Sequence, residues 1–182
     1  MSLKATRIPA GSQTVGPYFR IGLDYLVDRM AREDATSEGM IQIQGRVLDR
    51  DGAPVPDAML EFWCAGEANG PRDHGIPDGF RRAATDLDGN FTAKIMRPVG
   101  NRLEDGRAQA PHAMVLVFAR GLMRHLITRV YLEDEAMNDS DPVLLSVPEE
   151  RRGTLTAKRD GEEAYRWDVV LQGTDETVFF VW

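Results

Sequence analysis

The stretch Pro111–Asp134, PHAMVLVFARGLMRHLITRVYLED, sets two apolar runs on either side of a short Ala-Arg-Gly link. Runs of this kind joined by a few turn-forming residues make adjacent antiparallel strands. Alternation places His112, Met114, Leu116 and Phe118 on one face of the first strand, and Ala113, Val115, Val117 and Ala119 on the other. Both faces are apolar, which predicts a central strand covered on both sides. A histidine opens that strand, and the next residue on its face is a methionine.

The flanking sequence is also β in texture. MIQIQGRVLDR alternates Ile41, Ile43 and Val47 with polar neighbours and turns at Asp51-Gly52. DAMLEFWCAG, FTAKIMRP, TLTAKRD, AYRWDVVLQG and the closing ETVFFVW read as further strands. Glu67–Arg82 reads as a long loop, of the kind that is usually functional or disordered, and Val99–Ala110 as a second irregular one. Short strands broken by Gly, Asp and Pro predict an all-β fold, an antiparallel β-sandwich. Residues 1–39 read as an N-terminal arm with a short helix near Ile21–Met30, and residues 40–182 as the sandwich domain.

Composition narrows the function classes. A chain of 182 residues suits one domain with arms, and its formal net charge of −7 argues against nucleic-acid binding. No apolar run of about 18 residues is present, and the N-terminus lacks a signal-peptide core, so neither a membrane span nor export is expected. The single cysteine, Cys64, cannot form an internal disulfide and fits a reducing cytoplasm. It follows Trp63 in an apolar strand and reads as a buried, inert thiol.

GRVLDRDGAPVPDAMLEFWCA followed by TDLDGNFTAKIMRPVG resembles the core of the intradiol ring-cleaving dioxygenases. The G-x-V-x-D-x-x-G-x-P-V pattern from Gly45 to Val55 is shared with transthyretin-like modules. SQTVGPY near the N-terminus, the Pro111–Asp134 hairpin and ETVFFVW resemble, in the same order, the α chain of the two-chain members. The resemblance implies a transthyretin-like core and a paralogous β partner. That partner would hold a non-haem Fe(III) through two tyrosines and two histidines. The α–β pair would assemble further and cleave an acid-bearing catechol, protocatechuate, with O₂.

The resemblance also implies that this chain holds no iron. A catalytic member would read His-x-His where this chain has His112-Ala113-Met114, and a thioether is a poor ligand for hard ferric iron. Pro71 or Arg72 stands where a first tyrosine ligand would fall, and VGNRLEDG supplies no second. The four tyrosines, Tyr18, Tyr25, Tyr131 and Tyr165, lie elsewhere. The three histidines, His74, His112 and His125, lack compact ligand spacing. His112 reads as a buried, hydrogen-bonded core residue, His125 as a sheet-face residue and His74 as a solvated one.

The same resemblance implies that the arm walls part of the partner's substrate pocket through Thr14, Gly16 and Pro17, with Tyr18 beside them. Gly16 allows close backbone approach, Pro17 stiffens the wall and Thr14 offers a hydroxyl. Arg120 would sit near the pocket and attract an anionic group. Arg20, Arg124 and Arg129 read as surface or interface charges. Two other readings stand beside this one. One is a non-catalytic transthyretin-like binding module, and the other a stand-alone metalloenzyme with a rearranged site.

Overall fold

Ile41, Ile43 and Val47 sit at alternate positions, and the strand they predict, β1 (Met40–Leu48), alternates buried and part-buried residues along its whole length. The computed structural model describes residues 11–16, 18–27, 29, 39–65 and 79–181. After β1 come β2 (Met59–Cys64), β3 (Phe80–Ala84), β4 (Asn90–Met96), β5 (Asn101–Arg102) and β6 (Ala108–Gln109). β7 (His112–Phe118), β8 (Leu126–Leu132), β9 (Thr156–Arg159), β10 (Ala164–Arg166) and β11 (Val169–Val170) complete the strands.

The main sheet runs β11-β1-β10-β9-β8-β7-β2-β3, with β4 on the free edge of β1, and β5 pairs with β6 alone. β7 is hydrogen-bonded to β2 on one side and β8 on the other, the central position its doubly apolar sequence predicts. The pairings of β1 with β10 and β11, and of β8 with β9, are parallel, against the antiparallel expectation. Parallel neighbours need a long crossover. For β8 and β9 it is built from short helical turns over Ala136–Ser140, Pro142–Ser146 (α2) and Glu149–Arg152.

One core joins the two ends of this strand order. Ile41, Ile43, Phe91 and Ile95 face Leu60, Phe62, Val115 and Val117, and the Phe62 and Phe91 rings lie 6.2 Å apart. Gly45 is required where the chain leaves β10. A Cβ there would stand 1.8 Å from the Trp167 carbonyl oxygen, and Trp167 N–H donates to Gln44 O at 2.9 Å. A second, smaller cluster of Ala110, Tyr131, Leu144, Val147 and Leu155 covers the outer face of the β7–β8 pair.

The structure revises three local expectations. The loop expected over Glu67–Arg82 yields at Phe80 to β3, whose Arg82 lies opposite Glu61 in register. The expected irregular stretch after Val99 contains the small β5–β6 hairpin. Among the described residues the closing segment makes one isolated bridge, Phe180 to Ile127, with Phe180 N–H donating to Ile127 O at 2.7 Å, beside the part of β8 that β9 does not cover. In the arm, helical structure starts at Tyr18 (α1, Tyr18–Ile21) and resumes over 24–27. Among the described residues no helix is long and apolar enough to cross a membrane.

Candidate functional site

The register of β3, β2, β7 and β8 assembles one outward sheet face. It carries Arg82 opposite Glu61, Trp63 opposite Met114, and then Met114 opposite Arg129 and His112 opposite Tyr131. The two ends of β7 on this face differ in chemistry.

At the His112 end the face is sealed by hydrogen bonds. His112 is buried, its Nδ1 lies 2.8 Å from the Ala110 carbonyl oxygen, and its ring packs on Tyr131 at 5.3 Å between centroids. Burial holds the imidazolium below its ordinary pKa, and the nearby Arg129 charge adds to that. The core histidine expected from sequence is what the structure contains.

Arg129 departs from expectation. It is 3 % exposed and not a surface charge, because Gln109 and Tyr131 receive its guanidinium. Its Nη1 donates to Gln109 Oε1 at 2.7 Å and to the Tyr131 hydroxyl at 3.3 Å. The Tyr131 hydroxyl in turn donates to Asp141 Oδ1 at 3.1 Å, so one phenol links a buried cation to a buried carboxylate. Burial raises the Tyr131 pKa, which keeps the phenol protonated.

These residues do not fit a ferric ion. One imidazole and one thioether share the face, and the residue across from the thioether is a permanent cation. Among the described residues no three His, Cys, Asp or Glu side chains group as metal ligands. Cys64 is part-buried, and burial pushes its thiol up to about 12, so it is protonated and a poor nucleophile.

At the far end of β7 the arm docks on the strand. Phe19 packs on Phe118 at 4.9 Å between ring centroids, and the Arg82 guanidinium lies over the Phe19 ring at 5.8 Å. Arg82 is held by an ion pair with the buried Glu61. Thr14 Oγ1 accepts from the Gly121 N–H at 2.9 Å, which brings Thr14 beside the turn bearing Arg120. A groove of about 660 Å³ opens here, with Val15 on the arm side, Leu122 and His125 from the β7–β8 link, and Phe179 from the tail. His125 precedes β8 in that link, and its ring lies 5.4 Å from Phe118.

The five residues named for the pocket wall are thus placed unequally. Thr14 and Arg120 come together at one turn, and both are exposed. Gly16 is exposed, with its carbonyl accepting from Phe19 N–H at 3.0 Å, and Tyr18 is 80 % exposed on α1. Pro17, Pro71, Arg72, His74 and the Arg20 side chain lie outside the described residues. Sequence reasoning missed the anchors Phe19, Arg82 and Glu61. The available signal was Glu61 inside an apolar strand, since a buried carboxylate calls for a paired cation.

The fold is shared with solved structures of intradiol dioxygenases. The family described as Dioxygenase matches residues 15–173, and the chain belongs to it. The family is iron-dependent. Within it, the protocatechuate 3,4-dioxygenase alpha chain of Burkholderia cepacia is 42 % identical, over 93 % of this chain and 95 % of that one. The protocatechuate 3,4-dioxygenase beta chain of the same organism is 26 % identical, over 92 % of this chain and 77 % of that one. In fold, catechol 1,2-dioxygenase from Pseudomonas arvilla C-1 superposes with a TM-score of 0.57 at 18 % identity, over 85 % of this chain and 69 % of that one.

Proposed function

We propose that this chain is the non-iron-binding α subunit of a protocatechuate 3,4-dioxygenase. It acts with a β subunit that holds Fe(III), and the pair forms a heterodimer that assembles into a larger hetero-oligomer. The iron of the β subunit supplies the site where the catechol and O₂ react. The reaction opens the ring between the two hydroxylated carbons and gives 3-carboxy-cis,cis-muconate, a step of the β-ketoadipate pathway in the cytoplasm. In this reading residues 40–182 form a β-sandwich with a transthyretin-like core, and the arm over residues 1–39 reaches the partner's active site.

The observation that carries this reading is the contrast between the two ends of β7. At one end His112 is tied to a backbone carbonyl and faces a buried guanidinium, an environment unsuited to a trivalent cation. At the other, the arm is docked so that Thr14 and Arg120 share a turn at the surface. An exposed guanidinium on a docked wall suits recognition of a flat aromatic carboxylate, and a wall already in place loses little entropy when the ring binds. Gly16 and Tyr18 extend that wall, and the family resemblance adds Pro17 to the same role. The chain's own work is to orient the ring acid and to exclude water from the shared pocket.

Co-expression tests the reading. The chain would be purified alone and with the β chain encoded beside it, then assayed for iron content, colour and O₂ uptake with protocatechuate. Iron, colour and turnover are expected only in the pair. A lone chain that is coloured and consumes O₂ would replace this reading with a stand-alone metalloenzyme. A pair that fails to associate would favour the transthyretin-like binding module.

A further inference from the structure

Three contacts converge on the turn that presents Arg120. Leu122 N–H donates to the Ala119 carbonyl at 3.2 Å, and Gly121 has a φ of 87°. Together they give a type II turn, with Arg120 second and glycine third. The central peptide of that turn joins Arg120 to Gly121, and its N–H donates to Thr14 Oγ1 at 2.9 Å. The same hydroxyl oxygen lies 3.5 Å from the Ala119 carbonyl oxygen, so Thr14 straddles the turn from the arm side.

Two consequences follow from where these atoms sit. The peptide plane that Thr14 holds is bonded directly to the Arg120 Cα, and its tilt sets the direction in which the Arg120 side chain leaves the sheet. The Thr14 oxygen gives one lone pair to the Gly121 N–H at 2.9 Å, while its own proton reaches the Ala119 carbonyl only at 3.5 Å, so the bond to the turn is the shortest this hydroxyl makes.

We propose that Thr14 is a positioning residue: it clamps the Arg120–Gly121 peptide and so aims the Arg120 guanidinium at the carboxylate of a bound aromatic acid. This rests on the reading that Arg120 faces the acid group in a pocket shared with the β subunit. Arm docking and acid recognition then form one coupled unit, in which threonine acts through arginine. Ring cleavage itself is untouched by Thr14.

The test uses the assembled α–β enzyme with four α-chain variants, Thr14→Val, Thr14→Ser, Arg120→Met and the Thr14→Val/Arg120→Met double variant. For each, kcat and KM are measured with protocatechuate and with 4-methylcatechol, in which a methyl group replaces the carboxylate. Loss of one aiming hydrogen bond is expected to raise KM for protocatechuate about three- to tenfold in Thr14→Val. Its kcat is expected to change less than about twofold, and KM for 4-methylcatechol to stay constant. Thr14→Ser keeps the oxygen and is expected to restore the parent KM. In the double variant, Thr14→Val is expected to add nothing to Arg120→Met.

The outcomes separate the two ideas. If Arg120→Met leaves KM for protocatechuate unchanged, the role of Arg120 falls and the clamp falls with it. If Arg120→Met raises KM while Thr14→Val does not, or if the two effects add, the clamp alone is overturned. A Thr14→Val effect equal for both substrates would likewise overturn it, since that marks a general weakening of the pocket wall.

Discussion

Replacing Asp141 with alanine should unfold this chain more readily than almost any other single change to its polar residues. Asp141 is 1 % exposed and caps α2 (Pro142–Ser146), with Oδ1 accepting from Val143 N–H at 2.9 Å and Leu144 N–H at 2.7 Å. The same Oδ1 accepts from the Tyr131 hydroxyl, and Oδ2 accepts from Ala110 N–H at 2.8 Å. Loss of an N-cap costs about 1 kcal/mol. The Ala110 N–H and the Tyr131 proton would then be stranded in the second core cluster, at about 1–3 kcal/mol for each buried unsatisfied group. The sum is about 3–7 kcal/mol, a drop of roughly 6–28 °C in Tm for a domain of this size. Asp141→Asn separates the contributions, because its single oxygen can keep the cap while its amide nitrogen cannot accept from Ala110 N–H. It should lose about 1–3 kcal/mol, the cost of the one stranded donor. The exposed neighbour Asp139→Asn is the control, expected within about 0.5 kcal/mol of the parent. Thermal and urea unfolding followed by tryptophan fluorescence would measure all three. An Asp141→Ala loss below about 1 kcal/mol, or equal losses for Asn and Ala, would refute the reasoning from stranded donors.

The buried His112 makes stability fall with acid. Its folded pKa lies below the ordinary 6.5, so between the two values the unfolded chain binds a proton that the folded chain does not. Stability from the neutral imidazole is complete above pH 6.5 and declines as pH falls through that window. Urea midpoints from pH 7.5 to 5 should show this slope, and His112→Gln should flatten it; an unchanged slope would assign the acid sensitivity to other groups. Gly45→Ala should prevent close pairing at the exit from β10, since its methyl would overlap the Trp167 carbonyl oxygen. A loss above about 3 kcal/mol is expected in urea unfolding, and a neutral result would show that β10 can shift without penalty.

Legibility in the sequence varied with how local the cause was. β7 was readable because VLVF is apolar on both faces, and a strand flanked by two neighbours requires just that. β1 was readable from its alternation, and Gly45 has its explanation in a backbone more than a hundred residues away. β3 was hidden by Arg81 and Arg82, which look like loop residues until Glu61 is found opposite Arg82 in register. Asp141-Pro142 does carry a helix-start signal, but α2 is only Pro142–Ser146, too short for periodicity to mark. Arg129 was misplaced for a related reason. Its strand was clear, yet its burial depends on Gln109 from β6 and on the cluster gathered by Leu144 and Leu155. Thr14 was singled out for its hydroxyl. Its partner, the Gly121 N–H, emerges only once the arm folds back onto the end of β7.

The length of β7 has a consequence of its own. His112–Phe118 spans roughly 20 Å at the usual rise of a strand. Groups that far apart with no shared partner perturb one another little, and the effects of substituting them add to within about 0.5 kcal/mol. Mutational drift at the histidine end therefore leaves no energetic trace at the turn that holds Arg120. Under the proposed α-subunit reading, such a spacer would let the histidine end do without metal ligands at no cost to the rim that carries Arg120.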